Sequence, residues 1–290
     1  MSATTEPESV YAADAELGEG PVWMARDDAV WFVDIKGLRI HKYEVTTGAA
    51  WSWAAPAQPG FIAPLADSRW IAGLKTGLHY FDPKSGRFDL LATVEDPKLD
   101  NRLNDGFVDQ KGRLWFGSMH DGETNLTGAL YRLDGRTPVR QDPGYCITNG
   151  PAMSPDGRTL YHTDTLKRVI YAFDVDANGK LTGKRTFAEI DEGYPDGPAV
   201  DAEGCVWTAL FAGRHVRRYS PKGELLEKVA FPVANITKLA FAGDDLKTVY
   251  ATTAWKGLSK AEREDQPQAG ALFRFEVDVP GLPQNQVRDV

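Results

Sequence analysis

The sequence predicts an all-β fold, a six-bladed β-propeller formed as a single domain over residues 1–290. Three observations carry that reading. Gly, Pro and Asp punctuate short runs of β-branched and aromatic residues, the pattern of strands joined by tight turns. One aromatic anchor recurs in every copy of a repeat, at Trp31, Trp70, Trp115, Tyr161, Trp207 and Tyr250, about 39 to 46 residues apart. That period holds four strands of about five or six residues with their turns. Helical periodicity is confined to a short piece near Ser259–Glu264.

Each element follows from the repeat. About eleven or twelve residues before four of the anchors stands a Gly element: Glu19-Gly20-Pro21, Asn104-Asp105-Gly106, Asn149-Gly150-Pro151 and Asp196-Gly197-Pro198. The apolar run after it (Val22-Trp23, Phe107-Val108, Ala152-Met153, Ala199-Val200) is the innermost strand, so the Gly element marks that strand's beginning. The anchor run comes second, as in Ala29–Asp34, Gly112–Gly117 and Gly204–Ala209, and a third follows, as in Ile40–Tyr43 and Ala129–Asp134. Lys111-Gly112 and Asp156-Gly157 are hairpin turns by composition. The ring closes by pairing Ser9–Ala13 with Ala271–Val277. A β-sandwich or two stacked small domains would need a composition shift between halves, and none occurs.

The charge balance narrows the partners. Against 41 acidic residues stand 33 basic ones, a net charge of -8 that repels phosphate backbones, so no nucleic acid is expected. The densest basic stretch, Arg214, His215, Arg217 and Arg218, alternates with apolar residues as a strand would. No run of about 18 apolar residues exists to cross a membrane. Met1–Val10 is acidic and polar, unlike a signal peptide. Cys146 and Cys205 have neither metal nor redox spacing. A cytoplasmic, disulfide-free monomer acting on a small molecule is the expectation.

Blade symmetry gives the candidate site. Equivalent positions of rotationally related blades form a ring about the axis, so Glu19, Asn104, Asn149 and Asp196 should meet at one mouth of the channel. Asn or Asp before Gly is a common turn choice at any one position. Four in register, with a glutamate among them, ask for more than a turn. Two carboxylates in one small volume raise each other's pKa unless a positive charge lies between them. With two amide carbonyls they make the oxygen-rich set that a divalent cation takes, whether Ca, Mg, Mn, Fe(II) or Zn. His120, in Met119-His120-Asp121-Gly122 after an anchor strand, is a candidate to return to the mouth; His41, His79, His162 and His215 show no ligand spacing. Neither G-x-S-x-G nor a P-loop is present, and Gly18-Glu19-Gly20 lacks the third glycine of a dinucleotide fingerprint.

The runs Leu17–Trp23, Arg102–Gly106, Ile147–Pro151 and Tyr194–Gly197 resemble the motifs of the SMP-30/gluconolactonase (regucalcin-like) family, in order and spacing, across about Leu17 to Phe275. Phe116–Gly122 and Tyr161–Thr165 are most similar to its bacterial sugar-acid lactonases, xylonolactonases in particular. The resemblance implies one divalent cation held by Glu19, Asn149 and Asp196, with Asp196 also the general base. It implies that Arg102 and Asn104 contact substrate. A glutamate that some relatives turn on the sugar has no direct match; His120-Asp121-Gly122-Glu123 stands in its place. The implied activity is hydrolysis of a sugar-acid lactone to the open aldonic acid. The alternatives are a non-catalytic metal- or ligand-binding propeller and a hydrolase of other esters such as organophosphates.

Overall fold

The computed structural model describes residues 4–288 and residue 290. Met1–Ala3 and Asp289, which belong to the expected domain and in part to the N-terminal segment read above, lie outside the described residues. The chain opens with β1 (Glu8–Tyr11) and then lays down blades in order. The first is β2–β5 (Gly18–Met24, Ala29–Asp34, Arg39–Glu44, Ala50–Ala54), the second β6–β9 (Pro59–Pro64, Trp70–Leu74, Gly77–Asp82, Arg87–Ala92). The third is β10–β13 (Asn101–Val108, Leu114–His120, Gly128–Asp134, Thr137–Tyr145), the fourth β14–β17 (Thr148–Met153, Thr159–Asp164, Val169–Val175, Leu181–Glu189). The fifth is β18–β21 (Tyr194–Val200, Val206–Phe211, His215–Tyr219, Leu225–Ala230). The sixth takes β22–β24 (Asn235–Ala242, Thr248–Ala254, Leu272–Glu276) and accepts β1 as its outer strand.

That last pairing is the predicted closure: Glu8 sits opposite Arg274 and Ser9 opposite Phe273. A ring closed this way joins the two ends of the chain by backbone hydrogen bonds and leaves the sixth blade no missing strand. The one α-helix among the described residues, α1 (Lys260–Asp265), lies between β23 and β24 and starts on a Ser259/Glu262 capping box.

All six anchors lie buried on the second strand of their blades. They do so because a wide aromatic side chain fills the gap between neighbouring blades, as where Trp31 meets Trp70 with ring centroids 4.9 Å apart. Three indole N–H groups are satisfied by the aspartate of the preceding turn: Trp31 by Asp27 at 3.2 Å, Trp115 by Asp109 at 2.9 Å and Trp207 by Asp201 at 3.0 Å.

The Gly elements differ from expectation in one respect. They do not begin the innermost strands; the strands start one to three residues earlier, and the element forms a bulge within each. In β2 the register slips between Glu19 and Val22, in β10 between Leu103 and Gly106, in β14 between Asn149 and Ala152, in β18 between Pro195 and Pro198. Gly20 and Gly150 reach positive φ there, 56° and 82°, which glycine accepts without steric cost. An extra residue on one side of a ladder re-aims the side chains beside it. Here it turns Glu19, Asn104, Asn149 and Asp196 into the axial channel.

Candidate active site and metal centre

The turned side chains line one cavity of about 290 Å³ at an end of the channel. Glu19, Arg102, Asn104, Asn149 and Asp196 all border it, and all are buried. His120 does not border it: from the end of β11 its Nδ1 lies 3.3 Å from Thr124 Oγ1 and its Nε2 3.2 Å from Asn125 Nδ2, both in the loop that follows. Glu123 reaches the cavity from that loop instead and forms an ion pair with Lys256 from the far end of β23.

The amides are fixed by their neighbours. The Thr165 hydroxyl donates to the Pro195 carbonyl at 2.9 Å, so its oxygen is left to accept, and Asn149 Nδ2 donates to it at 2.9 Å. Asn149 must therefore present Oδ1 on its other side, where Asn104 Nδ2 donates to it at 2.9 Å. Asn104 Oδ1 in turn accepts from Arg102 Nη1 at 2.5 Å. Asp121 Oδ1 stands 3.3 Å from Arg102 Nε, an ion pair out of line for a hydrogen bond. Burial pushes the guanidinium of Arg102 down from its usual range, opposed by the charges of Asp121, Glu123, Glu19 and Asp196. Asp121 is held well below the ordinary carboxylate range: burial raises it, but hydrogen bonds from Lys36 and Lys75 and the charge of Arg102 outweigh that.

The carboxylates face each other. Burial, then the charge of Asp105, raises Glu19 to about 7, against the opposing pull of Lys238 and of the Gly20 N–H that donates at 2.9 Å. Asp196 is raised well above its ordinary value by burial, then by the charges of Glu19 and Asp105. Its Oδ1 is buried without a hydrogen-bond partner among the described residues. Two buried acids both raised from their ordinary values, one with an orphaned oxygen, beside an oriented amide oxygen, fit a divalent cation with water completing its shell. Among the described residues no three His, Cys, Asp or Glu side chains gather as a metal group; the further oriented oxygen bordering the cavity is the amide Oδ1 of Asn149.

Sequence reasoning gave no role to Asp105, Lys238 or Lys256, and placed Glu123 only as part of the His120–Glu123 segment. Asp105 lay inside the quoted Asn-Asp-Gly run. Lys238 carried a signal that was available, a lone lysine within the apolar innermost run Ile236–Ala242. Glu123 and Lys256 arrive on loops, where repeat symmetry gives no register. The remaining lining is Leu17, Met119, Ile147, Leu166 and Phe211, which are apolar, with Thr165 and Tyr194.

A 6-deoxy-6-sulfogluconolactonase of Pseudomonas putida is 34% identical over 91% of this chain and 92% of its own length. An L-arabinolactonase of Azospirillum brasilense is 35% identical, covering 89% of this chain and 87% of that one. Among solved structures, a calcium-binding protein, regucalcin, of Agrobacterium tumefaciens superposes with a TM-score of 0.94 at 27% identity, covering 98% of each chain. Residues 17–255 match the family described as the SMP-30/Gluconolactonase/LRE-like region, and with the relatives above 30% identity over most of the chain this protein belongs to that family.

Proposed function

We propose that this protein is a divalent-metal-dependent lactonase that opens a sugar-acid lactone to its aldonic acid. The observation that carries the reading is the buried, unpartnered Asp196 Oδ1 facing the Glu19 carboxylate in a cavity that Arg102 and Asn104 also line. Similarity to two sugar lactonases supports the reaction class.

Glu19, Asn149 and Asp196 would hold the cation. Such an ion supplies Lewis-acid polarisation of the lactone carbonyl. The chain's own groups do the rest. Asp196 takes a proton from the attacking water as its oxygen adds to the carbonyl carbon. The ring C–O bond then breaks, and the departing oxygen takes up a proton to become the product hydroxyl. Arg102 and Asn104, locked to each other, orient the lactone through its oxygens. Glu123 and Lys256 form a further polar edge at the mouth, suited to hydroxyls. The cavity is small enough to suit a single sugar ring. Xylonolactone is the first substrate we propose, on the resemblance of Phe116–Gly122 and Tyr161–Thr165.

The apolar part of the lining favours a second reading, hydrolysis of a less polar ester. One experiment separates them. Metal-stripped protein is given single ions (Ca, Mg, Mn, Fe(II), Zn), and acid release from xylono-, arabino-, glucono- and galactono-lactones and from an aryl ester is compared with buffer. Turnover of a lactone restored by metal supports the proposal. Turnover of the aryl ester alone supports the second reading, and ion binding without turnover of any compound would leave a metal-binding propeller.

A further inference from the structure

Below the ring of Glu19, Asn149 and Asp196 the channel is crossed by a buried ion pair that no step above uses. Lys238, on β22 of the sixth blade, donates from Nζ to Asp105 Oδ1 on β10 of the third. Both are almost fully removed from solvent. Asp105 also accepts from Gly106 N at 2.7 Å and, with Oδ2, from Gly150 N at 2.7 Å. Gly150 follows Asn149 directly. The stem of Lys238 lies over Gly197, which follows Asp196; a Cβ on that glycine would sit 2.6 Å from Lys238 Cγ. On its far side Lys238 borders a second, mostly apolar cavity of about 350 Å³. The pair thus touches the backbone next to two of the three proposed metal-holding residues and separates the site from the rest of the channel.

Its charge matters as much as its position. Metal-holding carboxylates bind ionised. Glu19, Asp196 and Asp105 then place three negative charges in a buried volume with Lys238 set directly against them. Lys256 is matched by Glu123, and Arg102 shares Asp121 with Lys36 and Lys75. Each member of the Lys238–Asp105 pair therefore shifts the charge that a bound cation meets by one unit.

We propose that the Lys238–Asp105 pair is a charge-setting strut: it positions the backbone beside Asn149 and Asp196 and sets the charge that fixes the balance between divalent and trivalent cations. The proposal rests on the metal-site reading above. Its test compares calcium with terbium(III), an ion of nearly the same size and one more charge, by titration calorimetry on the metal-stripped full-length protein.

Lys238→Met adds one negative charge to the site, Asp105→Asn removes one, and the double variant restores the wild-type charge. The ratio of terbium to calcium affinity should rise about tenfold or more in Lys238→Met, fall by a similar factor in Asp105→Asn, and return near the wild-type ratio in the double variant. A merely structural pair would weaken both ions together and leave the ratio unchanged in every variant, which overturns the proposal. Should Lys238→Met fail to fold, the nearly isosteric Asp105→Asn and the double variant decide the matter by the same ratio. Wild-type protein that binds neither ion would refute the metal site itself, a result distinct from an unchanged ratio.

Discussion

Glu19 and Asp196 illustrate how a residue's surroundings decide its chemistry. Each is an ordinary acid in the sequence, yet burial and the charge of Asp105 raise both, with Glu19 adding to the shift of Asp196. Glu19→Gln removes one of the two charges while keeping the shape, so metal affinity should fall by about 100-fold or more and lactone turnover with it, the fold remaining intact. Equilibrium dialysis beside circular dichroism checks this, and unimpaired binding would remove Glu19 from the metal set. His162 is the opposite case, a base buried without any hydrogen-bond partner among the described residues. Burial, opposed by the charge of Asp142, lowers it from 6.5 to about 3. The unfolded chain therefore binds a proton that the folded chain refuses between those values. Stability should rise with pH through that window and be lost as pH falls from 6.5 towards 3. Melting curves across this range should fall more steeply for wild-type protein than for His162→Phe; parallel curves would contradict the assignment.

The element that recurs is the aspartate turn locked under an indole. Asp201 accepts from the backbone N–H groups of Glu203 and Cys205 and from Trp207 Nε1, each at 3.0 Å, and from Arg218 Nε at 2.8 Å. It is fully buried, so Asp201→Ala would strand four donors at once. We expect a loss of about 3 kcal/mol or more in a denaturant titration, against less than about 0.5 kcal/mol for a surface aspartate such as Asp244. The bulge in the innermost strand is the other repeated element, and it is where structure departs from sequence reading. Gly-Pro and Asn-Asp-Gly were legible as breaks in the pattern and read as the start of a strand. Whether such an interruption starts a strand or bends one depends on the partner strand, because a bulge is defined by two residues facing one. Val33 and Trp31 opposite Glu19 and Val22 supply that information, and they lie beyond the turn.

At the scale of the whole molecule, the ring is held shut by β1. Tyr11 stacks on Tyr43 with centroids 5.7 Å apart, tying the closing strand to the first blade as well as the sixth. Removing residues 1–13 should lower the melting temperature by about 10 °C or more and expose β24 as an unpaired edge. Size-exclusion chromatography should then show concentration-dependent self-association, and a monomer of unchanged stability would argue that the closure is dispensable.

The six anchors and the two closing segments were legible because a propeller blade is a local unit: strand alternation and turn chemistry act over a few residues, and repetition makes the pattern visible six times. The same symmetry brought Glu19, Asn104, Asn149 and Asp196 together, since residues at one repeat position must share a ring about the axis. What symmetry could not reach was anything that breaks it. His120 ends β11 and Glu123 lies in the loop after it, and only packing decides that the glutamate faces the cavity while the histidine bonds to that loop. Asp105 and Lys238 lie 133 residues apart and meet across the channel from different blades. Local rules determined the blades and the ring; the charges that cross it were decided by tertiary structure alone, because Coulomb interactions depend on distance in space and not along the chain.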